Sequence, residues 1–124
     1  SQAAAAHLPR GGRIINIGSN LAEREPMAGI TLYSMTKSAL LSFTKGLAHD
    51  LGPRGVTVNL VHPGSTNTDM NPADGDGADH QRARMPIQEY GKPEEIAGMV
   101  AWLASPEGRF ANGAGFTVDG GANA

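Results

Sequence analysis

Apolar residues fall along the chain in two rhythms. Short continuous runs occur at "RIINIGS" (13–19), "GVTVNLVHPG" (55–64) and "GAGFTVDGG" (113–121). They are rich in β-branched residues and end in Gly or Pro-Gly, so they predict strands buried on both faces. The second rhythm is helical. From Leu32 to Leu51, apolar residues recur at Leu32, Met35, Ala39, Leu40, Phe43, Leu47 and Leu51, and Gly52-Pro53 closes the run. "KPEEIAGMVAWLASPEG" repeats that rhythm at Ile96, Met99, Val100 and Leu103. Pro93 near its first turn and Glu94-Glu95 at the positive end of its dipole mark where that helix begins.

The remaining stretches are connections. "SQAAAAHLPRGG" reads as the tail of an alanine-rich helix closed by Pro9 and Gly11-Gly12, as in a chain that began earlier. "NLAEREPMAGIT" (20–31) is loop. Residues 65–90 lack periodicity and are rich in Asp, Gly and Asn; that length predicts a functional loop or lid. The second strand is placed at 56–61, stopped by Pro63-Gly64. No internal repeat is present. The order is helix tail, strand, helix, strand, lid, helix, strand. Buried strands joined by helices predict an α/β fold with a parallel sheet. Ligands of such sheets bind beyond the carboxyl ends of the strands. Gly18-Ser19, Pro63-Gly64 and the start of the helix carrying Tyr33 all fall on that edge.

Composition narrows the picture. With 124 residues and a net charge of −2, one small domain fits, and no basic run suggests nucleic acid. The absence of cysteine excludes disulfides and thiolate metal sites. No apolar run approaches the roughly 18 residues of a membrane helix. The first residues lack the basic-then-apolar form of a secretion signal, so a cytoplasmic protein is the expectation.

Tyr33 and Lys37 are four residues apart, on one helix face. A phenol has an unperturbed pKa of about 10, and a nearby cation favours its ionised form. That pair suits proton delivery to an alkoxide formed by hydride transfer, and a lysine has donors left for ribose hydroxyls. Ser19 at a strand end can donate to the same oxygen. An ordinary helix surface carries a Tyr-x-x-x-Lys spacing just as well, and a serine after a strand is usually a cap.

The wider set of motifs is more specific. "GRIINIGS", then "YSMTK" after thirteen intervening residues, "RGVTVNLVHPGSTNTDM", "YGKPEEIAGMVAWLAS" and "GAGFTVDGG" together resemble the short-chain dehydrogenase/reductases, especially the 3-oxoacyl-carrier-protein reductase-like branch. The resemblance runs from about Gly12 to Gly121. It implies that Ser19 polarises a substrate carbonyl, that Tyr33 is the acid/base, and that Lys37 binds the nicotinamide ribose and eases ionisation of the tyrosine. It implies that Pro63, Gly64, Thr66 and Thr68 hold the nicotinamide of NADP or NAD, and that Asn59 is structural. Asn20, Leu21 and Ser65 are expected in the substrate pocket, under a lid of about 67–90. The spacing between Ser19 and Tyr33 is one residue longer than the commonest form.

The family's first half has no counterpart in these residues. There is no Gly-rich phosphate turn after a first strand. Residues 1–124 therefore resemble the C-terminal catalytic and substrate half of one Rossmann-like, doubly wound domain: about three parallel strands with flanking helices. The first strand would then be an edge although it reads as central, and dinucleotide affinity is expected to need the other half. The resemblance also implies a homo-oligomer, a dimer or tetramer, through the helix 32–51, with a second contact at the C-terminal strand. The segment "NTDMNPADGDG" (67–77) is similar to a subgroup of biofilm-dispersal mediators that bind a cyclic dinucleotide. A nucleotide-binding protein without catalysis, or an inert fragment, are the competing readings. His62 reads as a packing or loop residue. His7, His49 and His80 are scattered, and Asp74, Asp76 and Asp79 lack the full calcium-loop pattern, so no metal is expected. Trp102 reads as core or a subunit contact.

Overall fold

In the computed structural model, residues 1–24 and 27–124 are described; Glu25 and Pro26, within the predicted loop 20–31, lie outside the described residues. The helices are α1 (Gln2–Ala5), α2 (Thr31–Leu51), α3 (Ala78–Arg82) and α4 (Pro93–Ala104). The strands are β1 (Arg13–Ile17), β2 (Thr57–Pro63) and β3 (Gly115–Val118). They form one parallel sheet in the order β1-β2-β3. Ile17 is level with Val61, and Pro63 with Val118, so all three strands end on one edge.

The central strand is the one whose sequence is most continuously apolar. Every residue from Thr57 to His62 is buried, as expected of a strand covered on both faces and paired on both sides. Asn59 is tolerated there because its amide is satisfied at both ends. Its Nδ2 donates to Ala111 O at 2.8 Å, and its Oδ1 accepts from Ala114 N at 3.2 Å. The strand does not stop before Pro63 as its sequence suggests. A proline has no N–H to give, but Gly64 N–H donates to Val118 O at 2.9 Å and carries the ladder past it.

Strand alternation places α2 on one face and α4 on the other. Ile14 and Val58 pack with Leu47, Ala48 and Leu51 of α2, joined by Ala5 and Leu8 from the N-terminal segment. Two residues further along the same face of β1, Asn16 Nδ2 donates to the buried Thr44 Oγ1 of α2 at 3.0 Å. On the opposite face Leu103 of α4 is fully buried, and Trp102 meets Phe116 edge-on, 6.1 Å between centroids. Trp102 remains 43 % exposed, a rim residue rather than a core one. The start of α4 is capped by Lys92 N–H donating to Glu95 Oε2 at 2.6 Å. Arg54 donates to Ala5 O, at the end of α1, and to Leu8 O just beyond it.

β1 departs most from its sequence. It ends at Ile17 rather than at residue 19, and Ile17 is 47 % exposed. Among the described residues β1 has a strand neighbour on one side only, so an apolar run suited to a sheet interior lies half covered. The apolar pattern of α2 also splits. Leu47, Ala48 and Leu51 face the sheet, while Leu32, Met35 and Phe43 are exposed. Among the described residues no helix is long and apolar enough to cross a membrane.

Candidate active site

Ser19 is held by the geometry around the last turn of β1. Gly18 leads into it because no side chain fits: a Cβ there would lie 2.7 Å from His62 Nδ1. His62 is fully buried in β2, and its Nδ1 is 2.7 Å from Ser19 O. The same Nδ1 lies 3.3 Å from Ser19 N, so the ring holds the serine backbone as acceptor from its amide in one tautomer and as donor to its carbonyl in the other. The expected packing role of His62 is therefore also a positioning one. Ser19 caps the 3₁₀ turn Asn20–Ala22, its Oγ accepting from Leu21 N at 3.2 Å. An Oγ that accepts keeps its own hydrogen free to donate. His62→Leu, of similar volume, takes the ring away from the Ser19 backbone and leaves its carbonyl bonded by Ala22 N–H alone, at 3.0 Å, and is expected to cost about 1 kcal/mol. Urea unfolding of the variant against wild type measures this, and an unchanged midpoint refutes it.

Tyr33 and Lys37 stand on the first turns of α2. Lys37 Nζ lies 5.7 Å from the Tyr33 ring centroid and donates to Ile17 O, at the end of β1, at 3.3 Å. The lysine thus bridges helix and strand beside the phenol. Ser38 Oγ donates to Ala22 O at 2.6 Å and ties α2 to the turn that Ser19 caps.

The β2 end supplies the third wall. Gly64 passes so close to Asp119 that a Cβ there would lie 2.5 Å from the Asp119 Cβ. Asp119 in turn accepts from Asn20 Nδ2 at 3.3 Å and from Gly121 N and Asn123 N at 3.0 and 3.1 Å. Thr66 Oγ1 donates to Gly64 O at 3.1 Å. Thr66 pairs with Gly91 as a short parallel bridge, with Asn67 N donating to Gly91 O and Gly91 N to Ser65 O, both at 2.9 Å. The segment 67–90 therefore leaves and re-enters the fold at one place.

Inside that segment side-chain amides make the structure. Gln81 on α3 exchanges two hydrogen bonds with Asn71, at 3.2 and 3.1 Å, and its Oε1 also accepts from Ser65 Oγ at 2.7 Å. Tyr90 OH donates to Asn71 Oδ1 at 3.3 Å. Arg82 pairs with Asp79 at 2.8 Å, donates to Ala73 O and lies over the Tyr90 ring.

These walls border one half-open cavity of about 650 Å³. Ser19 and Tyr33 line it together with Pro63, Gly64, Thr66 and Thr68. Asn20, Leu21 and Ser65 line it as well. Lys37 is not on the wall; it lies behind Tyr33 and bonds to Ile17, which is. Sequence reasoning missed Asn71, Gln81, Arg84 and Asp119. Asp119 sits in the conspicuous turn "VDGG", a signal that was available; the amide pair had none. Among the described residues no three His, Asp or Glu side chains gather as metal ligands.

Comparison with known proteins matches residues 1–123 to the family described as enoyl-(acyl carrier protein) reductase. A cyclic-di-GMP-binding biofilm dispersal mediator protein of Escherichia coli K12 is 52 % identical over 117 residues, covering 94 % of this chain and 49 % of that protein. A 3-oxoacyl-[acyl-carrier-protein] reductase of Vibrio harveyi is 43 % identical, covering 90 % of this chain and 46 % of its own length. A short chain dehydrogenase of Burkholderia cenocepacia, solved with NADP, superposes with a TM-score of 0.98 at 63 % identity, over 99 % of this chain and 50 % of that one. The chain spans about half the length of the relatives it matches.

Proposed function

The chain belongs to the short-chain dehydrogenase/reductase family, and on that premise we propose that it carries the catalytic half of an oxidoreductase moving a hydride between NADP or NAD and a carbonyl or alcohol. The observation that carries this reading is one cavity, at the carboxyl edge of a parallel sheet, that gathers Ser19 and Tyr33 with the Pro63–Thr68 loop while Lys37 stands behind the phenol. The lining suits a nicotinamide riboside, with hydroxyls at Thr66 and Thr68 and a tight backbone at Pro63-Gly64, and the Lys37 ammonium stands beside Tyr33 just off the wall. When bound, the cofactor supplies or accepts the hydride.

The protein's own residues handle the oxygen. The Ser19 hydroxyl, fixed by Leu21 N–H, donates to the substrate oxygen. Tyr33 gives the proton to the forming alkoxide and takes it back in the reverse direction. The Lys37 ammonium stabilises the phenolate that remains. Segment 67–90 acts as the lid over Asn20, Leu21 and Ser65. The exposed Leu32, Met35 and Phe43 of α2 support assembly with a second copy.

Lys37→Met in the complete polypeptide carrying this sequence is expected to lower kcat/KM by roughly 10²-fold, with NADPH oxidation followed against a carbonyl panel. Wild-type rates in that variant would remove the lysine from the mechanism. A second reading rests on the 52 % identity to the E. coli mediator: a protein that binds a cyclic dinucleotide. Equilibrium binding of cyclic di-GMP, measured beside the NADPH assay, separates the two.

A further inference from the structure

The cavity wall is dominated by uncharged side chains, among them Ile17, Leu21, Met70 and Met85. Among the described residues one lining side chain carries a formal charge, Arg84. It is half-buried, and among the described residues it forms no ion pair; of the two acids nearest in sequence, Asp79 is taken by Arg82 and Glu89 makes no ion pair with it. Its place is firmly set. Arg84 N donates to Gln81 O at 3.2 Å, and the Gln81 side chain is bound to Ser65 and Asn71. The next residue, Met85, is buried and anchors the chain on the far side.

A guanidinium does not lose its charge, and its planar fork matches a carboxylate through two parallel bonds. Lining a cavity that is otherwise uncharged among the described residues, and partly shielded from water, it attracts an anion more strongly than on open surface. One cation balances one negative charge. A carboxylate meets that condition, whereas a phosphate dianion leaves a surplus charge against apolar walls.

We propose that Arg84 selects substrates carrying a carboxylate, so that the carbonyl compounds reduced in this cavity are oxo acids. The inference rests on the oxidoreductase reading and names its substrate class. The test uses the complete polypeptide and matched pairs: levulinate against methyl levulinate, and dihydroxyacetone phosphate against dihydroxyacetone. Wild type is expected to favour levulinate over its ester by about 10- to 100-fold in kcat/KM, the range expected of a charge-assisted bidentate pair. Arg84→Gln brings the ratio toward one, and Arg84→Lys restores part of it. A wild-type ratio near one, or a ratio that Arg84→Gln leaves unchanged, overturns the proposal. So does a preference confined to the phosphate pair and abolished by Arg84→Gln. Calorimetry of levulinate with the NADP⁺ complex is read beside turnover. Binding that Arg84→Gln abolishes, in a protein that turns over neither ketone, supports the anion site while refuting the reductase reading.

Discussion

Tyr33→Phe is expected to lower turnover by about 10²- to 10⁴-fold, the range that a positioned proton donor contributes. The substitution removes one oxygen and keeps the ring that Lys37 lies against. Tyr33 is 45 % exposed, and among the described residues no hydrogen bond of its hydroxyl is lost. Stability should therefore move by no more than about 0.5 kcal/mol. Cofactor affinity should remain within a few-fold, because the resemblance assigns most of that grip to other residues. Steady-state NADPH oxidation, with a separate titration of cofactor, checks both halves of the statement. Undiminished turnover with a folded protein would mean that another group delivers the proton.

Gly64→Ala is expected to damage both stability and activity. A Cβ at this position would lie 2.5 Å from Asp119 Cβ and 2.6 Å from its Cα. The second contact is backbone, so no rotamer change relieves it. Forcing such a group into a packed site costs about 1–3 kcal/mol. The displacement also travels: Asp119 holds Asn20, Gly121 and Asn123, and Asn20 follows Ser19. Small misplacements of reacting groups cost up to about 10²-fold in rate. Thermal unfolding and kcat/KM of Gly64→Ala are compared with Gly46→Ala. Gly46 lies on α2 with nothing within 4 Å of an added Cβ, so its replacement should not destabilise. Equal melting of the two variants would show that the Asp119 contact yields without cost.

The backbone of this fold was legible where periodicity and punctuation agreed. Residues 56–61 read as a strand buried on both faces, and β2 forms there from Thr57 to Pro63, buried through His62. Pro93, Glu94 and Glu95 mark the start of α4, and the Glu95 cap forms there. Sequence misjudged what depends on neighbours. Ile14, Ile15 and Ile17 describe a sheet interior, and whether a second strand covers them is not encoded in β1 itself. The outward Leu32 and Met35 look the same in a helical pattern as the inward Leu47 and Leu51. The site was legible as residues but not as a cavity. Ser19, Tyr33 and the Pro63-Gly64 turn stand out only through the set of motifs that resembles the family, since their spacing alone fits an ordinary helix and cap. The Gln81–Asn71 pair, ten residues apart with no periodic relation, does not stand out. Its formation depends on the Thr66–Gly91 bridge, a long-range event. Arg84 carried no motif, and its place on the cavity wall follows from the burial of Met85 beside it.

That bridge gives the segment it closes an independence the rest of the chain lacks. Because Thr66 and Gly91 meet, everything between them is a detour whose two ends lie together, tied once more to the scaffold where Ile87 N donates to Gly120 O at 3.0 Å. Lengthening or shortening such a detour changes its closure entropy only logarithmically, by about 0.6 kcal/mol per doubling. No residue between Thr66 and Gly91 is a member of β1, β2 or β3. On the proposed reading, length changes between Thr66 and Ile87 would alter the substrate side, while Ser19, Tyr33 and Lys37 stay where β1 and α2 put them.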